Sequence, residues 1–210
     1  MKFREPESSI KILEEGIALT QKSGHSAINS IILSNRSILH TLRGEPDKAR
    51  ECLLQAEKLV EKIKVAKPFY GTYLMAKAHY ELALLRSSGN QKNISWKAVN
   101  QTLTELVKTA KKFAGFLPEA LLFKALAYLH INKERRALKF IQDAMQTAET
   151  NGAKVDLSRI YFELGKYLSD PKTKQKQLNG LSGKDYIEKA RAMFEEMDLQ
   201  WDLEEYGKYI

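Results

Sequence analysis

The sequence predicts an all-α protein in which helical hairpins are stacked side by side as a solenoid. Three observations favour this fold class. Apolar residues recur at helical spacing along nearly all of the 210 residues, whereas the sustained alternation that is typical of strands is missing. Turn-forming residues divide this pattern into about ten segments. Small residues return at nearly constant intervals, which a stacked repeat requires and a compact bundle does not.

Glycine, proline and asparagine mark the ends of the predicted helices. Gly24 closes the first helix, and the turn at 44–47 separates the second helix from the third. Pro118 and Gly152 mark two later boundaries. In chain order the predicted helices cover 8–22, 26–43, 46–64, 69–87, 95–114, 118–131, 133–150, 154–169, 183–197 and 199–208.

The intervals between small residues group these helices into pairs. Two helices that pack closely need a small residue where they cross. Ser37 and Ala49 are 12 residues apart, and so are Ala125 and Ala137, which indicates two equivalent hairpins. The residues predicted at the crossings of the four first helices are Ser37, Ala76, Ala125 and Gly165.

The resulting architecture is a single domain over residues 1–210 with four hairpins. The hairpins cover about 26–64, 69–114, 118–150 and 154–197, with loop insertions at 87–95 and 169–176. The segment 8–22 is either an N-terminal cap or a partial repeat, the second helix of a hairpin cut from a longer protein. The helix 199–208 is predicted to cap the other end by burying Trp201, with Leu203 and Tyr206 as further candidates.

Short motifs connect this spacing to a known family. Tyr161-x-x-Leu164-Gly165 and Lys124-Ala125-x-x-Tyr128 follow a pattern of small and aromatic residues that is typical of tetratricopeptide repeats. The chain resembles the tetratricopeptide repeat (TPR) family over about residues 8–197. This resemblance implies a right-handed α-solenoid of about four to five TPR-like hairpins plus a C-terminal capping helix. The long repeat unit is similar to the helical C-terminal regions of large bacterial signalling ATPases and cyclases.

Members of the TPR family are generally scaffolds that hold a peptide or another domain in a concave groove lined by first helices. The resemblance therefore implies a protein–protein interaction module, a scaffold or sensor without a cofactor, within a larger bacterial signalling regulator. The groove candidates are Ile31, Asn35, Ile38, Tyr73, Lys77, Tyr80, Leu122, Leu126, Leu129, Arg159, Phe162 and Lys166. Aromatic residues beside Lys and Arg suit a peptide with apolar and acidic residues. Packing between repeats is the alternative role, notably for Leu122 and Leu126.

Motifs of catalysis and metal binding are missing from the sequence. It contains no phosphate-binding loop that ends in Gly-Lys-Ser/Thr, no pair of cysteines and no His-Glu-x-x-His. His40 and His79 occupy positions where the TPR family has an aromatic residue, so we expect packing rather than metal ligation. Cys52 is expected to be a small buried side chain. We therefore predict no catalytic residue, no metal site and a protein that is not an enzyme.

Charge is unevenly distributed along a chain whose net charge is +8. Residues 86–139 contain 11 basic and 3 acidic side chains, whereas residues 183–210 contain 4 basic and 8 acidic ones. The basic middle supports an alternative function, a helical repeat that binds RNA or another nucleic acid. Against it, the basic residues are mainly lysines on second helices and in loops. Solvated outer faces of helices would explain the same charges.

Composition also predicts the compartment and the oligomeric state. No stretch approaches the roughly 18 apolar residues that a membrane-spanning helix needs, so no membrane partner is predicted. A single cysteine cannot form an internal disulfide and fits a reducing compartment, so the chain is predicted to be cytoplasmic. Phe3, Ile10 and Ile17 have no repeat to cover them, which predicts a homodimer formed through the uncapped N-terminal end.

Overall fold

The chain folds into an all-helical structure, as the sequence predicts. The computed structural model describes residues 6–63, 67–87 and 94–210. Within them lie ten α-helices and a 3₁₀ helix at Ala114–Phe116, and the strands β1 (Gln177–Leu178) and β2 (Leu181–Ser182) form a small hairpin. The helices are α1 (Pro6–Ser23), α2 (Ser26–Leu42), α3 (Pro46–Ile63), α4 (Lys67–Ser87), α5 (Trp96–Ala110), α6 (Leu117–His130), α7 (Glu134–Thr150), α8 (Lys154–Ser169), α9 (Gly183–Glu196) and α10 (Gln200–Tyr209).

Two local features differ from the sequence prediction. The helix predicted to reach residue 114 ends at Ala110, and a short turn leads into the 3₁₀ helix before α6. The short strands β1 and β2, which are joined by Asn179 and Gly180, were not predicted from the sequence. Both turn residues have a positive φ, of 50° and 77°, and an Asn-Gly pair is well suited to such a two-residue hairpin turn.

Five helices end in the same way, which explains the short turns that follow them. Just after each helix lies a residue with a positive φ, and the next amide donates to the carbonyl five positions earlier, as in a Schellman motif. These positive-φ residues are Gly24, Gly44, Asn132, Gly152 and Asp198. The donor–acceptor distances lie between 2.8 and 3.2 Å. Glycine and asparagine adopt this backbone conformation at low cost, so the three glycines, which mark helix ends in the sequence, explain the turns in which they lie.

Small residues allow close contact between the helices of a pair. The buried hydroxyl of Ser37 on α2 donates to the carbonyl of Ala49 on α3 at 2.9 Å. Gly165 on α8 faces Gly183 on α9, where an added Cβ on Gly165 would stand only 2.8 Å from the carbonyl oxygen of Gly183. Ala125 on α6 is also fully buried. These helix crossings therefore depend on side chains no larger than serine.

Contacts between helices follow a regular order along the chain. The pairs α2 with α3, α4 with α5, α6 with α7 and α8 with α9 pack together, and α2, α4, α6 and α8 also contact one another in sequence. Helix α10 packs against α9. The main apolar core runs continuously from α2 to α9, and a second cluster at the C-terminal end includes Phe162, Phe194, Leu199 and Tyr206.

The N-terminal helix leaves apolar side chains uncovered. Ile12 and Leu19 on α1 are 66% and 67% exposed, whereas Ile10 and Ile17 are half-buried. Phe3, the third residue of the predicted dimer contact, lies outside the described residues. None of the described helices combines the length and the apolar character needed to cross a bilayer.

Candidate functional site

One cavity brings together side chains from four first helices and the C-terminal helix. It has a volume of about 300 Å³ and is bordered by α2, α4, α6, α8 and α10; we call it the first-helix cavity. Its apolar wall is formed by Leu42, Leu82, Ala83, Leu122, Phe123, Leu126, Phe162 and Trp201. Its polar lining residues are Thr41, His79, Arg86, Arg159, Glu163, Lys166, Asp202 and Glu205. The cavity is therefore a mainly apolar recess with charged groups of both signs.

A buried ion pair joins two of the helices that line this cavity. Arg159 on α8 and Asp202 on α10 form a bidentate pair, with Nε–Oδ1 at 2.8 Å and Nη2–Oδ2 at 2.7 Å. Only 8% and 5% of the two side chains are exposed. Two parallel charge-assisted hydrogen bonds fix both the distance and the orientation of the groups. The pair therefore holds α10 in place as one wall of the cavity.

A second charge cluster lies on the same helix one turn further along. Glu163 accepts hydrogen bonds from Lys166 Nζ at 2.7 Å and from Arg86 Nη2 at 3.1 Å. Burial by itself would raise the pKa of Glu163, but the charges of Lys166 and Arg86 outweigh burial and lower that pKa. The Lys166 ammonium also stands 4.5 Å from the ring centroid of Phe162. Glu163 thus orients two cations toward the cavity rim.

Aromatic contacts complete the attachment of α10. Tyr206 and Tyr209 lie 6.2 and 5.8 Å from Phe162 between ring centroids. Tyr206 is buried, as predicted for a capping helix, whereas Trp201 and Leu203 are only half-buried. Trp201 stays partly exposed because it lines the first-helix cavity instead of the core.

Helices α6 and α8 place their predicted ligand residues at this cavity or beside it. Leu122 and Leu126 on α6 line it, together with Arg159, Phe162 and Lys166 on α8. Leu129 borders an adjoining recess of about 460 Å³, which shares Leu126 and Lys166 with the first cavity. Leu122 and Leu126 also belong to the buried core. A role of these residues in ligand binding stays a prediction.

The predicted ligand residues of α4 face a different part of the molecule. The hydroxyl of Tyr73 donates to Glu57 on α3, and Lys77 Nζ lies 3.5 Å from a carboxylate oxygen of Glu57. Tyr80 lies near Arg50 and Asp47, also on α3, and burial raises the pKa of its phenol. The face of α4 that lines the first-helix cavity contains His79, Leu82, Ala83 and Arg86 instead.

The predicted residues of α2 also lie away from the first-helix cavity. Ile31 and Asn35 are half-buried, and Ile38 is buried in the main core. Helix α2 reaches the cavity only with Thr41 and Leu42, close to its C-terminal end. The predicted ligand residues that line the first-helix cavity or the adjoining recess therefore all lie on α6 and α8.

Two of the histidines lie beside glutamates, and the cysteine is buried. His40 Nδ1 lies 2.6 Å from Glu45 Oε2, and His79 Nε2 lies 3.3 Å from Glu119 Oε1. Cys52 is buried, and burial raises the pKa of its thiol. Across the described ranges, no group of three or more His, Cys, Asp or Glu residues has an arrangement that could hold a metal ion.

Sequence reasoning missed Asp202 and Glu163, the two acidic residues that organise the first-helix cavity. Asp202 lies 43 residues from its partner Arg159, so no local spacing connects them. The i to i+3 spacing of Glu163 and Lys166 is visible in the sequence, but it is common on solvated helix faces.

A comparison of the sequence with models of known protein families and with curated proteins found no match.

Proposed function

We propose that this chain is a cytoplasmic protein-interaction module that binds a peptide or a partner domain in the first-helix cavity. The proposal rests on one observation: α2, α4, α6, α8 and α10, which are far apart in sequence, all contribute side chains to a single recess. Recesses that are mainly apolar, with a few well-placed polar groups, are typical ligand sites. A scaffold or sensor role in a larger signalling regulator is the setting that the TPR resemblance suggests.

We further propose that the helices form a right-handed solenoid of TPR-like hairpins. The tight crossings at Ser37–Ala49 and Gly165–Gly183 support this arrangement, because Ser37, Ala49 and Gly165 were expected at helix crossings from the sequence. The contacts of α2 with α4, α4 with α6 and α6 with α8 support it as well. In such a row the first helices present one shared surface, which is the surface a scaffold uses.

The lining of the cavity favours a ligand with apolar and acidic side chains. Leu42, Leu82 and Trp201 offer apolar surface that is accessible from the recess. Arg86 is 53% exposed at its side chain and Lys166 is 29% exposed, and both are held at the rim by Glu163. An acidic group of the ligand can replace water around these cations, while an apolar side chain enters the recess.

Selection from a peptide display library tests this proposal directly. Peptides are selected on the wild-type chain and then measured against Ala83→Glu, which places a carboxylate on the half-buried cavity wall. Because the substitution fills the recess and repels acidic ligands, we expect the affinity to fall by at least about tenfold. The matched control is Ala18→Glu on the exposed face of α1. Equal binding to both variants, or no enriched peptide, would contradict the proposal.

Nucleic-acid binding is the second candidate, because one observation favours it. A shallow depression of about 480 Å³ is bordered by four basic residues, Lys133, Arg135, Arg136 and Lys174. The basic segment 86–139 therefore lies beside the loop insertion 169–176 at this depression. Binding of a single-stranded RNA oligonucleotide would be measured by fluorescence anisotropy at low salt and near 0.2 M, roughly the range where non-specific phosphate contacts fail. Wild-type binding that persists near 0.2 M salt but is lost in the Arg135→Ala variant supports this candidate. Wild-type binding that disappears at the higher salt concentration contradicts it.

A further inference from the structure

A second recess, between α3, α4 and α5, has a strongly acidic lining. It has a volume of about 240 Å³ and contains four glutamates, Glu57, Glu61, Glu81 and Glu105, with Lys77 as its one basic residue. We call it the acidic cavity. It shares no lining residue with the first-helix cavity. A local excess of negative charge is notable because the whole chain has a net charge of +8.

One carboxylate oxygen in this cavity lacks a hydrogen-bond donor. Glu81 is only 6% exposed, and its Oε2 atom is buried without a hydrogen-bond partner among the described residues. Burial raises the pKa of Glu81, against the smaller lowering effects of the Thr102 hydroxyl and the Lys77 ammonium. A buried acceptor without a donor costs free energy, so a ligand that supplies a donor here would gain affinity.

The other carboxylates are held in position by neighbouring side chains. Tyr70 donates its hydroxyl proton to Glu105 at 2.6 Å, and Tyr73 donates to Glu57. Each tyrosine supplies only one hydrogen bond, whereas a carboxylate has about four acceptor sites. Glu57 and Glu105 therefore keep acceptor capacity while their orientation is restrained.

Aromatic rings lie beside these carboxylates. The rings of Tyr70 and Tyr73 are stacked, with centroids 6.0 Å apart and planes inclined by 28°. The ammonium of Lys77 stands 5.9 Å from the centroid of the Tyr73 ring and 3.5 Å from Glu57 Oε1. A ring face next to a carboxylate attracts cations both by the cation–π interaction and by charge–charge attraction. Lys77 shows that a cation is already accommodated at the edge of the cavity.

We propose that the acidic cavity binds a guanidinium group, through hydrogen bonds to Glu81 and to the restrained carboxylates and by stacking on Tyr70, which is half-buried whereas Tyr73 is only 4% exposed. A guanidinium is planar and carries five donors, which suits carboxylates that come from three different helices. It also stacks on aromatic rings, which a compact ammonium does less well. A free guanidinium compound and the arginine side chain of a partner peptide both present this group.

Isothermal titration calorimetry with matched probes tests the chemistry. The probes are arginine amide and a short peptide with one central arginine, and each has a counterpart in which citrulline replaces arginine. Citrulline keeps the shape but loses the charge, so we expect it to bind at least about tenfold more weakly. Tighter binding of the peptide than of arginine amide assigns the site to a partner side chain, and equal binding assigns it to a free guanidinium compound. No preference for arginine over citrulline in either form would overturn the proposal.

Three variants link the binding to this cavity. Glu81→Gln keeps the side-chain shape and removes the charge, so the arginine probe should bind at least about tenfold more weakly. Lys77→Met removes the competing cation, so the same probe should bind several-fold more tightly. Glu51→Gln removes one charge from the exposed face of α3 and should change little. Circular dichroism checks that each variant is folded, and unchanged binding in both Glu81→Gln and Lys77→Met would refute the site.

Discussion

The first-helix cavity and the acidic cavity each contain a glutamate with a shifted pKa, and the two shifts have opposite directions. Glu163 lies between Lys166 and Arg86, whose charges lower its pKa. Glu81 is buried with an unpartnered oxygen, and burial raises its pKa. Similar carboxylates thus behave differently because one has charged donors and the other does not. In the first-helix cavity both oxygens of Glu163 accept hydrogen bonds from cations, whereas in the acidic cavity one oxygen of Glu81 has no donor among the described residues.

The largest expected effect comes from the buried pair that joins α8 to α10. Asp202→Ala leaves the buried Arg159 guanidinium without its carboxylate, so we expect a loss of about 3–5 kcal/mol in the free energy of unfolding. Urea denaturation measures this loss. The control is Glu204→Ala on the exposed face of α10, which should stay within about 0.5 kcal/mol. Equal losses for the two variants would show that the pair does not hold α10.

A smaller loss of stability is expected at the crossing between α8 and α9, which positions the charged residues of α8. An added Cβ at Gly165 would stand 2.6 Å from Ile187 Cγ1 and 2.8 Å from the carbonyl oxygen of Gly183. Gly165→Ala should therefore lower the free energy of unfolding by about 1–3 kcal/mol. Gly207→Ala on α10, where nothing lies within 4 Å of the added Cβ, should be neutral or stabilising. A neutral result at Gly165 would mean that the helices can separate without cost.

The two glutamates give a direct comparison through the pH dependence of stability. Because the pKa of folded Glu81 is raised above the ordinary value of 4.5, its charge costs stability as the pH rises above that value. Glu81→Gln should therefore be more stable than wild type by about 1 kcal/mol at pH 7, with a smaller difference near pH 4.5.

Glu163→Gln should behave in the opposite sense. Because the pKa of folded Glu163 is lowered from 4.5, its charge stabilises the fold above that value, and this stability is lost as the pH falls through the folded pKa. The variant should be less stable than wild type by about 1 kcal/mol at pH 7 and comparable at strongly acidic pH. Urea denaturation of both variants from pH 7 to about pH 3.5 gives the curves, and curves of the same sign would contradict the contrast between the cavities.

The smallest effect on stability is expected at the uncovered face of α1, which belongs to neither cavity. Ile12→Glu and Leu19→Glu change side chains that are 66% and 67% exposed, so the free energy of unfolding should move by less than about 0.5 kcal/mol. If the predicted homodimer forms, light scattering should give twice the 24.0 kDa chain mass for wild type and one chain mass for the double variant. Leu54→Glu on α3, an exposed leucine, is the control. A monomeric wild type would make the dimer prediction wrong.

The described helices and many of their ends were determined by the sequence itself. Gly44 and Gly152 adopt positive φ angles after helices because glycine has no Cβ to clash. The Ser37–Ala49 and Gly165–Gly183 contacts were also predictable, since closely packed helices admit only small residues. Such features depend on backbone conformation and side-chain size, which are properties of short segments. The hairpin turn at Asn179-Gly180 could have been read from the same rules.

The sites were decided only by the tertiary structure. The partnership of Arg159 with Asp202 spans 43 residues, and the lack of a donor for Glu81 Oε2 depends on which side chains the neighbouring helices bring near it. The contacts of Tyr73 and Lys77 with Glu57 on α3 depend on how α4 packs against α3. Helical spacing specifies which residues share a face, but the direction of that face is set by the helices that pack against it.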